Sequence, residues 1–306
     1  MTVAPIFATS PPARSGWRPS LVGAAREFGT YEPPDSDVAR RLGGISYQPP
    51  SDNTWVRTFD PCDSPELVHS QGDPAAVWLP WGITARDDCP SIGNDPVAAA
   101  GRVTATLRNQ TSHLIEEVLW TGLLDVGTDI ETMAAANSPA GSNRRLASDS
   151  ATLIDGTAAH GFVDAFGHIL DWVPTVLGGE NAWIHLEPRL LPYLAFYNLA
   201  TRTSARSIST VLGDYPIVAG TGYTGSGPAS QVTGTGQSWI YVTTPVRVIE
   251  GPIFEPGDPE GFLDRSLNRF RPVASRMVLA DWDLEVHGAI RVATPDPGPT
   301  WAATGS

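Results

Sequence analysis

The sequence contains no lysine: all 20 basic residues are arginine, against 33 acidic residues. Any site that depends on a lysine is therefore excluded, including Schiff bases, the phosphate-binding lysine of Walker-type loops and lysine-built isopeptide crosslinks. The net charge of −13 argues against a nucleic-acid binder that works through its overall field. No run approaches the roughly 18 apolar residues that a membrane span requires, so we expect no membrane contact.

Cysteine is also scarce, with only Cys62 and Cys89. Two cysteines cannot form a disulfide framework, and the first 20 residues lack the charged-then-apolar order of a signal peptide. We interpret the pair as reduced cytosolic thiols, with a disulfide as the alternative. A zinc site would need further ligands at suitable spacing, and none is found near either cysteine.

Thirty glycines and 28 prolines predict many turns and few uninterrupted helices in these 306 residues. Residues 1–50 are rich in proline and are predicted to form no regular element. They nevertheless contain four aromatic side chains, at Trp17, Phe28, Tyr31 and Tyr47. An extended arm laid over a partner explains both features, and a disordered terminus is the alternative. Residues 51–93 hold short apolar bursts between prolines, which favours irregular strands or a long hairpin.

The clearest helix signal begins at Asp95, a candidate N-cap followed by Pro96, and Gly122 offers the stop. Apolar residues at helical spacing predict about 25 helical residues over 95–121. Shorter helices are predicted at 157–172 and 188–199, with a strand between them at 182–186. From residue 207 onward the pattern is that of β-strands. The fold class is therefore predicted to be α+β.

Gly220, Gly222 and Gly225 form a G-x-G-x-x-G pattern directly after a strand-like segment. A dinucleotide site needs a helix that opens at the third glycine, but Ser226, Gly227 and Pro228 follow here. We therefore predict a flexible surface loop with no role in nucleotide binding.

Two sets of side chains could carry other chemistry. His160, Asp164 and His168 fall at i, i+4 and i+8 of the second predicted helix and could ligate a metal. His185 and Glu187 alternate on the 182–186 strand and could form an acid/base pair. Buried or surface histidines with ordinary partners explain both sets more simply. No nucleophile signature is present, so the sequence predicts no catalytic residue, no cofactor and no metal site.

Arginine is concentrated in two stretches. Arg189, Arg202 and Arg206 share a stretch, 189–212, without acidic residues, and Arg265, Arg269, Arg271 and Arg276 share 261–276 with Asp264 alone. These arginines could contact phosphates or form salt bridges between subunits. The net charge of −13 favours the second interpretation.

Taken in order, these elements resemble the major capsid protein of tailed bacteriophages, which has the HK97-like fold. The resemblance covers most of the chain in element order. It assigns 1–50 to an N-terminal arm, 51–93 to an extended loop, 94–150 to a spine helix and peripheral domain, 151–237 to an axial domain, and 238–306 to a return to the peripheral domain and a tail. The helix end EEVLWTG (116–122) is similar to that of actinobacterial-phage capsid proteins, and LGDYPIVAG (212–220) is similar to an axial-domain strand.

The resemblance implies self-assembly as hexamers and pentamers into an icosahedral shell around double-stranded DNA, which would be contacted only non-specifically. It implies a virion protein that is assembled in the host cytoplasm, with a portal and possible cement and scaffolding proteins as partners. Cohesion must be non-covalent, because the lysine–asparagine isopeptide of some members is impossible here. On this view, deleting residues 2–40 should leave a soluble subunit that builds no stable shell, and the 220–237 loop should lie on the axial surface. An encapsulin-like compartment, another virion part such as a tail or decoration protein, and a hydrolase remain as alternatives.

Overall fold

The computed structural model describes residues 19–33, 45–47, 76–124, 130, 145–177, 181–204, 207–231, 234–255, 257–258, 261–283 and 286–294. Most of the expected arm (1–18, 34–44 and 48–50) lies outside these residues. So do residues 51–75 of the expected extended loop, together with Cys62, Arg206 and the tail beyond 294. Cys89 is a buried free thiol.

The first described element, helix α1 (Leu21–Glu27), corrects the expectation that residues 1–50 form no regular structure. The Ser20 hydroxyl caps it by accepting a hydrogen bond from the Gly23 N–H at 2.9 Å. Its apolar residues are buried in the main core of the same chain, and the Phe28 ring lies 5.9 Å from that of Trp183. Deleting residues 2–40 would therefore remove part of the subunit's own core.

The long helix is confirmed as α2 (Pro96–Thr121), 26 residues long, or about 39 Å at 1.5 Å per residue. Its N-cap is Asp95, whose carboxylate accepts a hydrogen bond from the Val97 N–H at 3.0 Å. It ends at Gly122, which adopts φ 75°, a conformation that glycine reaches without a Cβ penalty. One face of α2 is buried along its whole length, as the apolar spacing predicts.

Seventeen strands occur in the described residues. They are β1 (Tyr31–Glu32), β2 (Ile45–Tyr47), β3 (Ala76–Trp78), β4 (Trp81–Arg86), β5 (Cys89–Pro90), β6 (Thr152–Leu153), β7 (Ala159–His160), β8 (Trp183–His185), β9 (Ala200–Arg202), β10 (Ile208–Thr210), β11 (Pro216–Val218), β12 (Gln237–Thr243), β13 (Arg247–Glu250), β14 (Leu263–Asp264), β15 (Arg269–Phe270), β16 (Val273–Asp281) and β17 (His287–Ala293). A four-stranded sheet has the order β1-β13-β16-β4. A larger sheet has the order β6-β17-β12-β8-β11-β10-β9, with β7 also paired to β17. β5 joins β14 and β15, and β2 pairs with β3.

The larger sheet lies between two apolar cores, because successive side chains of a strand point to opposite faces. On β12, Trp239 and Tyr241 face the core that contains α1, α2 and the four-stranded sheet. Ile240 and Val242 face the second core, which is covered by helices α3 (Phe162–Leu177) and α4 (Leu191–Phe196). β8, β11 and β17 alternate in the same way.

The two shorter helices differ from their predicted bounds. The helix expected at 157–172 begins later, because Ala159 and His160 pair with β17 instead. The helix expected at 188–199 opens as a 3-10 turn (Pro188–Leu190) and ends at Phe196, and Asn198 adopts φ 54° before β9 begins. The strand predicted at 182–186 is confirmed as β8.

Strand pairing links segments that the expected domain boundaries separate. β12, in the segment assigned to the return to the peripheral domain, pairs with both β8 and β17. β4, in the segment assigned to the extended loop, pairs with β16. β2 and β3 form an antiparallel pair. None of the helices among the described residues combines the length and hydropathy of a membrane-spanning segment.

Candidate assembly surfaces

A buried carboxylate on α2 joins the elements around it. Glu116 is fully buried, and its Oε1 accepts a hydrogen bond from the Leu21 N–H, the first residue of α1, at 2.8 Å. Its Oε2 accepts bonds from the Thr221 hydroxyl at 3.1 Å and the Gly222 N–H at 3.3 Å. One side chain thus holds α1 and the glycine-rich segment against the C-terminal part of α2.

Burial raises the pKa of Glu116 to about 7, since removing a carboxylate from water penalises its charged form. The hydrogen bonds from Leu21, Gly222 and Thr221 act in the opposite direction, because they stabilise the charged form, but burial has the larger effect. The carboxyl group is consequently mostly protonated in the folded subunit on the acidic side of neutrality.

The glycine pattern at 220–225 is packed against α2, which corrects the prediction of a flexible surface loop. A Cβ on Gly222 would lie 2.4 Å from both the His113 carbonyl oxygen and the Glu117 nitrogen. The Tyr223 ring is buried with its centroid 4.7 Å from that of Trp120. No helix begins at Gly225, as a dinucleotide site would require; Pro228–Ser230 is a short 3-10 turn. The glycines here permit close packing.

His185 and Glu187 do not form the acid/base pair considered from the sequence. His185 is fully buried, and its Nδ1 and Nε2 lie 3.0 Å from the Tyr223 hydroxyl and 2.9 Å from the Thr243 hydroxyl. Burial, and secondarily the charge of a neighbouring histidine, lowers the pKa of His185 to about 3, so the ring is a neutral core group. Glu187 lies beyond the end of β8 and pairs with Arg189.

Four of the seven arginines in the two arginine-rich stretches have acidic partners within the subunit, which were not expected from the sequence; Arg206 lies outside the described residues. The pairs are Arg269 with Asp88 (2.5 Å), Arg271 with Asp264 (2.8 Å), Arg276 with Glu250 (2.7 Å) and Arg189 with Glu187 (2.5 Å). The Arg276–Glu250 pair is buried, with both side chains 7% exposed. Asp88 and Glu250 lie outside the sequence windows in which the arginines were counted.

An apolar patch lies over the second core, at the end of α4 and in the turn between β10 and β11. We call Phe196, Tyr197, Val211 and Leu212 the α4 patch. The Phe196 side chain is 76% exposed and Leu212 67%. The two segments adjoin, because the Val211 N–H donates to the Leu199 carbonyl at 3.0 Å. Apolar side chains this exposed, and this close together, are typical of a surface that another protein covers.

A second apolar surface lies where the turn after β5 meets the β14–β15 hairpin. Ile92 is 81% exposed and Leu267 56%. The turns that carry them are held together, since the Ser91 N–H donates to the Asn268 carbonyl at 3.0 Å. We call Ile92 and Leu267 the β5 patch.

The histidines considered as metal ligands do come together, although not on one helix. His160 ends β7, whereas Asp164 and His168 are on α3. The His160 Nδ1 lies 3.1 Å from the Asp164 carboxylate. The structure adds Asp155, which the sequence analysis missed.

No protein-family model and no curated protein matches the sequence. Solved structures match nearly the whole chain. The capsid of a native GTA particle aligns with a TM-score of 0.52 at 11% identity, covering 95% of this chain and 96% of that one. A protein of Mycobacterium phage Ogopogo aligns with a TM-score of 0.51 at 14% identity, covering 95% and 97%.

The chain has the HK97-like capsid fold. The SrpI encapsulin of Synechococcus elongatus PCC 7942 shares the same fold, with a TM-score of 0.50 at 11% identity over 96% of this chain and 94% of that one. The prediction from the sequence, an α+β chain with the HK97-like fold, is confirmed. Because the identities are so low, the likeness concerns the fold.

Proposed function

We propose that this chain is the major capsid protein of a tailed bacteriophage and assembles as hexamers and pentamers into an icosahedral shell around double-stranded DNA. The observation that carries the proposal is the fold, which aligns with shell proteins over 95% of this chain and 96–97% of theirs. The absence of lysine, with 30 glycines and 28 prolines, suits a GC-rich genome such as that of an actinobacterial phage.

The exposed apolar surfaces support assembly from copies of this chain. The α4 patch and the β5 patch lie at separate places on the subunit, in different sheets. A closed shell needs repeated contacts between unlike surfaces of neighbouring subunits. Two separated patches, each covered by another copy, meet that requirement. Because lysine is absent, these contacts must hold the shell without isopeptide bonds.

The charge supports loose contact with the packaged DNA. The chain carries −13, and four arginines of its arginine-rich stretches are paired with carboxylates of the same subunit. Such a shell would repel the genome overall and would not bind it in a sequence-specific way. A portal, and a cement or scaffolding protein, are further proposed partners, with the host cytoplasm as the place of assembly and the virion as the final location.

An encapsulin-like compartment is the second candidate, favoured by the match to SrpI encapsulin. The two functions differ in content: a phage shell encloses DNA, whereas a compartment of this kind would enclose protein. Particles purified from infected or prophage-induced cells should therefore contain nuclease-protected double-stranded DNA. Protein-filled particles without DNA would favour the compartment.

The α4 patch can be tested directly with Phe196→Asp, using Phe196→Leu as the matched control. Phe196 is 76% exposed, so either change should leave the subunit folded. We expect Phe196→Asp to reduce shell yield at least tenfold in size-exclusion chromatography and negative-stain microscopy, because a charge would be buried between subunits. The leucine variant should assemble normally. Full assembly of Phe196→Asp would remove this patch from the interface.

A further inference from the structure

Four side chains converge at one edge of the larger sheet. β6 and β7 pair in parallel with successive positions of β17, which brings the turn after β6 close to the end of β7. Asp155 follows β6, and His160 ends β7 directly before α3, which carries Asp164 and His168 one turn apart. The topology thus gathers two imidazoles and two carboxylates from three segments of the chain.

The spacing of three of these groups matches the coordination sphere of a metal ion. Asp155 Oδ2 lies 3.5 Å from His160 Nε2 and 3.3 Å from His168 Nε2. The three ligand atoms all fall within 4.8 Å of one another. Around a tetrahedral Zn²⁺ with bonds of about 2.1 Å, ligand atoms lie about 3.4 Å apart. Only a small closing movement would bring all three to one ion.

The His160 ring is already oriented for such a role. Its Nδ1 lies 3.1 Å from Asp164 Oδ2, and a ring that donates from Nδ1 to this carboxylate can offer the lone pair of Nε2 to a metal ion. That Nε2 is buried and makes no hydrogen bond, and the acidic group facing it is the Asp155 carboxylate at 3.5 Å. A buried ring nitrogen without a hydrogen-bond partner is costly, and a metal ion would satisfy it.

We propose that Asp155, His160 and His168 bind one first-row divalent transition-metal ion of the Zn²⁺ class. Asp164 orients the His160 ring through Nδ1, and its other carboxylate oxygen lies 3.7 Å from His168 Nε2. Two imidazoles and a carboxylate form a ligand set that such ions prefer. His168 and Asp155 are 35% and 53% exposed, so the ion can enter from solvent and keep a water molecule in its fourth position. The ion would fasten the turn after β6 to α3.

The turn that presents Asp155 has an unusual backbone. Asp155 adopts φ 60° and Gly156 follows at φ 79°, two consecutive left-handed residues. Non-glycine residues seldom adopt this conformation. This conformation directs the Asp155 carboxylate towards the rings of His160 and His168. A bound ion would stabilise the left-handed turn relative to an extended backbone.

The test measures Zn²⁺ bound by the untagged full-length chain at neutral pH, by equilibrium dialysis with elemental analysis. Co²⁺ substitution gives a second readout, since tetrahedral Co²⁺ has a characteristic visible absorption. We expect one ion per chain. His160→Ala and His168→Ala should each abolish stoichiometric binding and the Co²⁺ spectrum, and Asp164→Asn should weaken binding about 10–100-fold.

The matched control is His113→Ala, which removes an exposed histidine on α2, away from this cluster. It should bind Zn²⁺ like the wild type. The proposal is overturned if the wild type binds no more Zn²⁺ than a His160→Ala/His168→Ala double variant whose circular dichroism is unchanged. It is also overturned if His113→Ala loses the ion. In the first case, the cluster consists of His–Asp ion pairs only.

Discussion

The pH dependence of unfolding should report Glu116. The pKa of this carboxyl group is 4.5 in its ordinary state and about 7 in the folded subunit. Between these two values the folded state keeps a proton that the unfolded chain releases. The free energy of unfolding therefore falls as pH rises from 4.5 to 7 and levels off above it. At 1.36 kcal/mol per pH unit, the contribution amounts to about 3 kcal/mol.

Glu116→Gln isolates this contribution, because the amide has nearly the same shape and does not titrate. Denaturant unfolding of the dissociated subunit, measured at several pH values across the window, gives the two curves. Between pH 4.5 and 7, the free energy of unfolding of the wild type should fall by about 3 kcal/mol more than that of the variant. Glu117→Gln, which changes the exposed neighbour on α2, should retain the wild-type dependence. Parallel curves for the wild type and Glu116→Gln would refute the reasoning.

Three further predictions concern packing and pairing, each checked by denaturant unfolding or circular dichroism. Gly222→Ala should destabilise the subunit by about 3 kcal/mol, because its Cβ meets backbone atoms of α2, whereas Gly101→Ala, in open space on the same helix, should stabilise it by about 0.5–1 kcal/mol. Equal effects would contradict the close packing. Arg276→Met should cost about 3–5 kcal/mol by leaving its carboxylate partner buried and uncompensated, and Arg102→Met, in an exposed pair, less than about 1 kcal/mol. Deleting residues 2–18 should leave a folded subunit, since α1 remains; loss of the helical signal would show otherwise.

The sequence was sufficient for elements whose signals are local. The ends of α2 are set by Asp95, Pro96 and Gly122, all within or beside the helix. Helix α1 could not be recognised in the same way. It is short and lies in a proline-rich segment, and its first N–H donates to Glu116, 95 residues away. Tertiary contacts stabilise such a helix, and local propensity does not reveal it.

The surfaces and side-chain clusters could not be predicted in the same way, because they depend on contacts between residues far apart in the sequence. Arg269 and Arg276 looked uncompensated within their own stretch, but their partners are Asp88, between β4 and β5, and Glu250 on β13. The histidine cluster could be predicted in part, because His160 and His168 are recognisable in the sequence as candidate metal ligands. Asp155 joins them only because β6 and β7 pair with the same strand. The Asp155-Gly156 dipeptide, a turn signal, was the available clue.

Electron microscopy of the untagged protein, expressed alone and fractionated by size, tests the central claim most directly. Closed shells of uniform diameter, or rings of five and six subunits, are the predicted result. A compact, monodisperse monomer or dimer at high protein concentration would contradict the assignment as a shell-forming protein.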